Sequence, residues 1–150
     1  MIKINKNFYK IILLVTLIIL IIFGIFYFSP KSVSYGDKIK INNVEFFVEV
    51  VDDNLKRQVG LGKRDNLCEN CGMLFIFDKV GRHGFWMKDM KFDIDILWIR
   101  DSEIVFIEKN VSYETPETIY NPNVESNSVL ELDSGVVEEF GIEAGDRIEF

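Results

Sequence analysis

The residues able to do chemistry are few. Cys68-Glu69-Asn70-Cys71-Gly72 sets two thiols three positions apart with a glycine behind them, the spacing of half a zinc knuckle. His83, in Val80-Gly81-Arg82-His83-Gly84, is the only histidine and the only other ordinary soft ligand. One His and two Cys cannot complete an all-Cys/His tetrahedral site within one chain. A metal would need Cys71, His83 and carboxylates, or four cysteines pooled from two chains. Three readings of the cysteines stand: a disulfide or plain thiol pair, metal ligands, or a redox couple. The pair precedes an apolar strand instead of opening a helix, which counts against redox catalysis. No cofactor and no bound metal are expected.

Asp95 is the most unusual carboxylate. It stands in Phe92-Asp93-Ile94-Asp95-Ile96-Leu97-Trp98-Ile99, on the strand face of Leu97 and Ile99. A buried carboxylate costs several kcal/mol unless it is paired or hydrogen-bonded. Lys88, Arg57, Arg64 or backbone N–H groups are its candidate partners. It is either a structural tie between loop and sheet or a ligand-binding or acid/base group. Asp93 with Asp95 offers two carboxylates on one face, the pattern of a paired acid/base site or a hard-cation site, although two are few oxygens for calcium. Phe85-Trp86-Met87-Lys88 could line a pocket beside Asp95, although three consecutive strand residues cannot all point one way. Trp86, Lys88, Asp93, Asp95 and His83 are the candidate ligand-binding residues. Asp95, Lys88 and Arg64 are the candidate catalytic set. Gly-x-Ser-x-Gly, P-loop and His-Glu-x-x-His motifs are absent, so common hydrolase and nucleotide chemistries find no support.

The elements that must position these residues are mostly strands. Lys38–Val51 reads as a hairpin turning at Asn42-Asn43. Asp52-Asp53-Asn54 is an N-cap cluster, with Leu55, Val59 and Leu61 at helical spacing, so residues 53–60 form about two helical turns stopped by Gly60 and Gly62. Met73–Phe77 and Phe85–Met87 are short strands. Ile94–Ile99 is apolar on both faces except at Asp95, hence a strand buried on both sides. Arg100–Glu103 turns into Ile104–Ile107. Residues 112–128 are polar and make a long loop. Val129–Leu132 is a strand, Ser134 caps a short helix to Phe140, and Gly145-Asp146 turns into Arg147–Phe150. The expected class is mainly β, a compact sandwich or barrel-like domain with two short helices, preceded by one N-terminal transmembrane helix.

That leader is distinct in composition. Residues 1–30 carry Lys3, Lys6 and Lys10 and no acid, leaving 14 bases against 24 acids in residues 31–150. Ile11–Phe28 holds 18 residues without a charge. As a helix at ~1.5 Å per residue they span roughly 27 Å, close to a ~30 Å hydrocarbon core. Phe26, Tyr27 and Phe28 fit an interfacial belt, and Ser29-Pro30 ends the helix. The stretch is longer than a typical signal-peptide core and no Ala-x-Ala follows, which favours an uncleaved anchor over a cleaved signal. The resulting division is an anchor over 1–30, a linker over 31–37 and one domain over 38–150. The basic stub places the N-terminus in the cytoplasm and the domain outside; cleavage near Tyr35 would make it secreted. With a net charge of −7, nucleic-acid backbones are poor partners.

One series is specific enough to carry a resemblance: Gly60-Leu61, Gly72-Met73-Leu74-Phe75-x-Phe77, Phe85-Trp86-Met87-Lys88 and Asp95-Ile96-Leu97, then Val129-Leu130-Glu131-Leu132, Gly135 and Gly145-Asp146. In this order it resembles the domain of unknown function 192 family (uncharacterised protein family 0127), over about residues 38–150. The resemblance implies a mainly β, sandwich-like domain, often behind a signal peptide or anchor, and no established activity. Two departures are visible. Gly62 stands where the family usually has a bulky residue, and the family usually lacks the Cys68–Cys71 pair.

The functional expectation is a membrane-anchored extracytoplasmic binding or accessory domain, its membrane contact made by Ile11–Phe28 and its ligand a small molecule, an envelope glycan or a protein. The alternative is a small envelope hydrolase or lyase using Asp95 with Lys88 or Arg64. An enzyme needs these groups to converge in an open cleft.

Overall fold

The structure is a computed structural model that describes residues 6–28 and 36–150, and within 6–28 the side chains of residues 10, 12–21 and 23. The chain divides into two compact units, Met1–Val33 and Ser34–Phe150. In the first, helix α1 runs Lys6–Phe28. Among the described residues no helix is long and apolar enough to cross a membrane. The expected span Ile11–Phe28 includes side chains outside that set, as do the Ser29-Pro30 stop, residues 31–35 of the linker and the cleavage position at Tyr35.

The second unit begins with β1 (Asp37–Ile41) and β2 (Val44–Val51), antiparallel across Asn42-Asn43. Both asparagines take positive φ (49° and 70°), the conformation a tight two-residue hairpin requires. Helix α2 (Asn54–Val59) starts where the Asp53 side chain accepts the Lys56 N–H at 2.8 Å and ends at Gly60, φ +51°. Its apolar pair does not face the core: Leu55 is 78% exposed and Val59 61%. Then come β3 (Cys71–Gly81), β4 (Phe85–Trp86), β5 (Ile94–Arg100), β6 (Glu103–Val111), β7 (Ile119–Tyr120), β8 (Ser126–Asp133), helix α3 (Val136–Glu139) and β9 (Ile148–Glu149). Strand β3 is longer than its apolar stretch, and β7, inside the expected 112–128 loop, pairs with β4.

Seven strands form one sheet in the order β6-β5-β8-β3-β2-β1-β9, with β2 and β3 parallel. The sheet curls until its edges meet. Glu103 bridges Arg147, Ile104 N–H donates to Asp146 O (2.9 Å) and Ile148 N–H to Ser102 O (2.8 Å). The result is a half-barrel that leaves little open edge at that end. Its enclosed face carries a cluster drawing on every strand, from Ile104 through Leu97, Leu130, Leu74 and Phe46 to Ile148, with Val137 of α3 as a lid. The outer face of β2, β3, β5 and β8 is covered by a second cluster containing Met73, Phe75, Ile96, Trp98 and Val129, closed over by Leu61, Leu67 and Met87 from the connecting segments. Strand β5 is therefore covered on both sides, as its apolar sequence requires. Gly72 sits where a Cβ would lie 2.8 Å from Glu131 O and from Leu132 Cδ2, so β3 and β8 can approach only with glycine at that position.

Ser134 does not cap α3. Gly135 occupies the N-cap position without a side-chain bond, while the Ser134 hydroxyl donates to Asn110 Oδ1 (2.6 Å). The helix N-terminus is instead satisfied from the sheet: Val137 N–H donates to Asp95 Oδ2 at 3.0 Å.

Candidate functional site

The segment from Arg57 to Gly62, the Arg82–Trp86 stretch, Lys88 and Met90 form the walls of a cleft of about 230 Å³ on the outer face of the sheet. Phe75 and Glu131 lie at its floor. A second depression of about 390 Å³ adjoins it, sharing Gln58, Val59, Gly62, Trp86 and Lys88. Three of the lining side chains are cationic, Arg57, Arg82 and Lys88, in a unit that is otherwise strongly acidic.

Glu131 is the central group. The strand register puts Glu49 of β2, Met73 of β3, Glu131 of β8, Ile96 of β5 and Glu108 of β6 in one row across the outer face. Glu131 is only 4% exposed, and its Oε2 is buried without a hydrogen-bond partner. Burial raises its pKa from 4.5 to about 8, with the Arg64 guanidinium pulling the other way. At neutral pH the group is a carboxylic acid, able to donate a hydrogen bond as well as accept one. Arg64 does not neutralise it: its Nη2 is held by Glu49 Oε2 at 2.7 Å, and its buried Nη1 has no partner.

The aromatic wall is built around His83. Its ring stacks on Phe77 at 3.6 Å between centroids and 7° between planes. Its carbonyl accepts Trp98 Nε1–H at 2.7 Å, so a fully buried core residue fixes the loop. Burial lowers the His83 pKa, favouring neutral imidazole, and Nε2 is buried without a partner. Arg57 lies 5.2 Å from the Phe77 ring and is tied down by Asp52 O (2.9 Å), Ile76 O (2.5 Å) and Asn54 Oδ1 (2.8 Å). Trp86 is 49% exposed at the mouth, with the Lys88 ammonium 5.5 Å from its ring centroid.

Asp95, Lys88 and Arg64 do not converge. Asp95 is fully buried on the enclosed face, and its two oxygens accept Asn110 N–H (2.8 Å) and Val137 N–H (3.0 Å). It ties β6 and α3 to β5 and has no open approach. Lys88 lines the cleft, whereas Arg64 lines a neighbouring groove with Leu55 and Met73. Asp93 lies just before β5 and accepts Tyr113 N–H at 2.9 Å, so it does not share a site with Asp95. Cys68 and Cys71 form a disulfide, Cα to Cα 5.2 Å. Among the described residues no group of three or more His, Cys, Asp or Glu could hold a metal ion. His83 and Trp86 do line the cleft.

Glu131 was not among the residues singled out from sequence. Its signal is the same as that of Asp95, a carboxylate inside an apolar strand, Val129-Leu130-Glu131-Leu132. The sequence alone cannot say which of the two faces a cleft, because that depends on which face of the sheet is fully covered.

A family model for DUF192, described as Uncharacterized ACR, matches residues 37–150. Among solved structures, the chain is similar to a protein from Sinorhizobium meliloti 1021 described as a "putative transcription regulator", with 30% identity, TM-score 0.74, and coverage of 79% of this chain and 97% of that one. It is also similar in fold to a protein of unknown function from Novosphingobium aromaticivorans DSM 12444, with 21% identity, TM-score 0.72, and coverage of 82% of this chain and 94% of that one. None of the curated proteins matches the chain.

Proposed function

Because the chain belongs to the DUF192 family, a family described only as uncharacterised, its activity must be read from its own cleft, and we propose that it is a membrane-anchored extracytoplasmic binding domain that recognises an envelope glycan there. The observation that carries this reading is Glu131. A buried carboxyl with an unpaired oxygen costs free energy in the empty domain, and a ligand hydroxyl or carbonyl in the cleft would supply the missing partner. Trp86, half exposed beside Lys88, supplies a ring on which a sugar face can stack.

The anchor and its orientation rest on the sequence: the basic stub followed by the uncharged run Ile11–Phe28. The Cys68–Cys71 disulfide supports an oxidising compartment outside the cytoplasm. The regulator description of the Sinorhizobium relative is not carried over, because a net charge of −7 disfavours a nucleic-acid partner.

Trp86 is the exposed member of the two tryptophans, so its fluorescence reports on the cleft. Titrating the detergent-solubilised full chain with N-acetylglucosamine oligosaccharides and muramic-acid-containing fragments should shift this emission and protect it from acrylamide. Absence of a saturable response to every glycan would sink the binding reading. Protease added to intact cells should remove residues 37–150 while sparing the N-terminal stub; complete protection would overturn the orientation.

A further inference from the structure

Resting on that reading, we propose that the glycan taken by the cleft is acidic: its sugar carries a carboxylate that meets Arg82 and Lys88, while Glu131, in its protonated form, donates to a neutral oxygen of the same unit. Charge supports the first half. Residues 31–150 carry 14 bases and 24 acids, yet Arg57, Arg82 and Lys88 line this one cleft against Glu131, with Asp89 lining the adjoining depression. Arg57 is spent on backbone and Asn54 acceptors, whereas Arg82 and Lys88 are exposed at the opening and no ion pair involves them among the described residues. An anion entering here meets positive charge that no carboxylate pairs with among the described residues.

Chemistry supports the second half. Glu131, whose Oε2 is buried without a partner, lines the cleft together with neutral His83 and the rings of Phe75 and Phe77. The charged groups near Glu131 are Arg64 from the segment after α2, Glu49 from β2 and Glu108 from β6, and Arg57, Arg82 and Lys88 line the same cleft. Glu49 is committed to Arg64. An ionised Glu131 would repel the ligand and could no longer donate; protonated, it does neither. Binding should therefore weaken as pH rises through about 8, where Glu131 ionises, by up to ~10-fold per pH unit.

Two probes separate the outcomes: the N-acetylglucosamine–N-acetylmuramic acid disaccharide, and chitobiose, which lacks its carboxylate. With the detergent-solubilised full chain, the acidic disaccharide should bind at least ~10-fold more tightly at pH 6.5, an advantage that shrinks with salt. Its affinity should fall between pH 7.5 and 9.5, and in Glu131→Gln, which keeps a donor and cannot ionise, that fall should vanish. Equal binding of the two disaccharides overturns this inference and leaves the glycan reading standing; binding of neither overturns both. An unchanged pH profile in Glu131→Gln removes Glu131 from the role of donor. Should that variant fail to fold, the R82Q/K88Q double variant decides the anion half: it should lose the preference for the acidic disaccharide, and a preference that persists refutes the cation contact.

Discussion

Asp95 and Glu131 occupy adjacent rungs of the β5–β8 ladder and point to opposite sides of the sheet: Asp95 pairs with Leu132, and Ile96 pairs with Glu131. Both carboxyls are buried, Asp95 fully and Glu131 to within 4%. They are satisfied differently. Asp95 faces the enclosed core, where two backbone N–H groups meet its oxygens. Glu131 faces the cleft, where its Oε2 meets no protein partner. The oxygens of the first are held by the fold, and one oxygen of the second has no hydrogen-bond partner.

Asp95→Asn should destabilise the domain by about 1–3 kcal/mol, because the amide NH₂ must oppose one of the two N–H donors that Asn110 and Val137 present. Ligand affinity should not change, since Asp95 has no access to the cleft. A thermal melt checks the first expectation; an unchanged melting temperature would remove the structural role.

Glu131 makes stability depend on pH with a definite sign. Its folded pKa is raised to about 8 from 4.5, so between those values the folded state holds a proton that the unfolded state has released. Stability is then highest below pH 4.5 with respect to this group, falls as pH rises to about 8, and levels off beyond. The accumulated penalty at pH 7 is roughly 3 kcal/mol, at ~1.4 kcal/mol per pH unit. Glu131→Gln should therefore melt higher than the parent at pH 8 and lose most of that advantage at pH 5. Parallel melting curves across this range would contradict the burial of a protonated acid.

Trp98→Phe keeps most of the packing against Phe85 and Phe106 and deletes the donor to His83 O. A cost of about 1–2 kcal/mol is expected from the orphaned carbonyl and the smaller ring. The distinguishing readout is the His83 imidazole NMR signal, which should move as the loop loosens from its stack on Phe77. A melt that drops with no change in that signal would mean the loop is held by other contacts.

The Cys68–Cys71 disulfide closes a very short loop, so its constraint on the unfolded chain is small, about 2 kcal/mol in the chain-entropy account. The double Cys68→Ser, Cys71→Ser variant should fold, with a lowered melting temperature matched by the parent in reductant. Stoichiometric zinc in the parent purified without reductant, lost on Cys68→Ser, would overturn the disulfide assignment.

Much of the fold was legible because it is local. The Asn42-Asn43 hairpin, the Asp53 cap, the Gly60 stop and the two-sided burial of Ile94–Ile99 follow from backbone preferences and from the two-residue period of a strand. Burial of Asp95 was legible for the same reason, since its neighbours in the strand place it in the core. Less was legible where distant segments meet. Leu55 and Val59 have helical spacing, yet they face outward, because the core beside α2 is filled by Leu61 and Phe75 from other segments. Ser134 has the chemistry of a cap, yet Asp95, 42 residues before Val137, takes that place. The sequence by itself determined the leader's apolar character, the strand-rich domain and the presence of carboxylates inside apolar strands. Tertiary structure decided which carboxylate is spent and which is left open. That choice depends on the curl of the sheet, which buries one face against itself and leaves the other to be covered, incompletely, by the loops around His83 and Trp86.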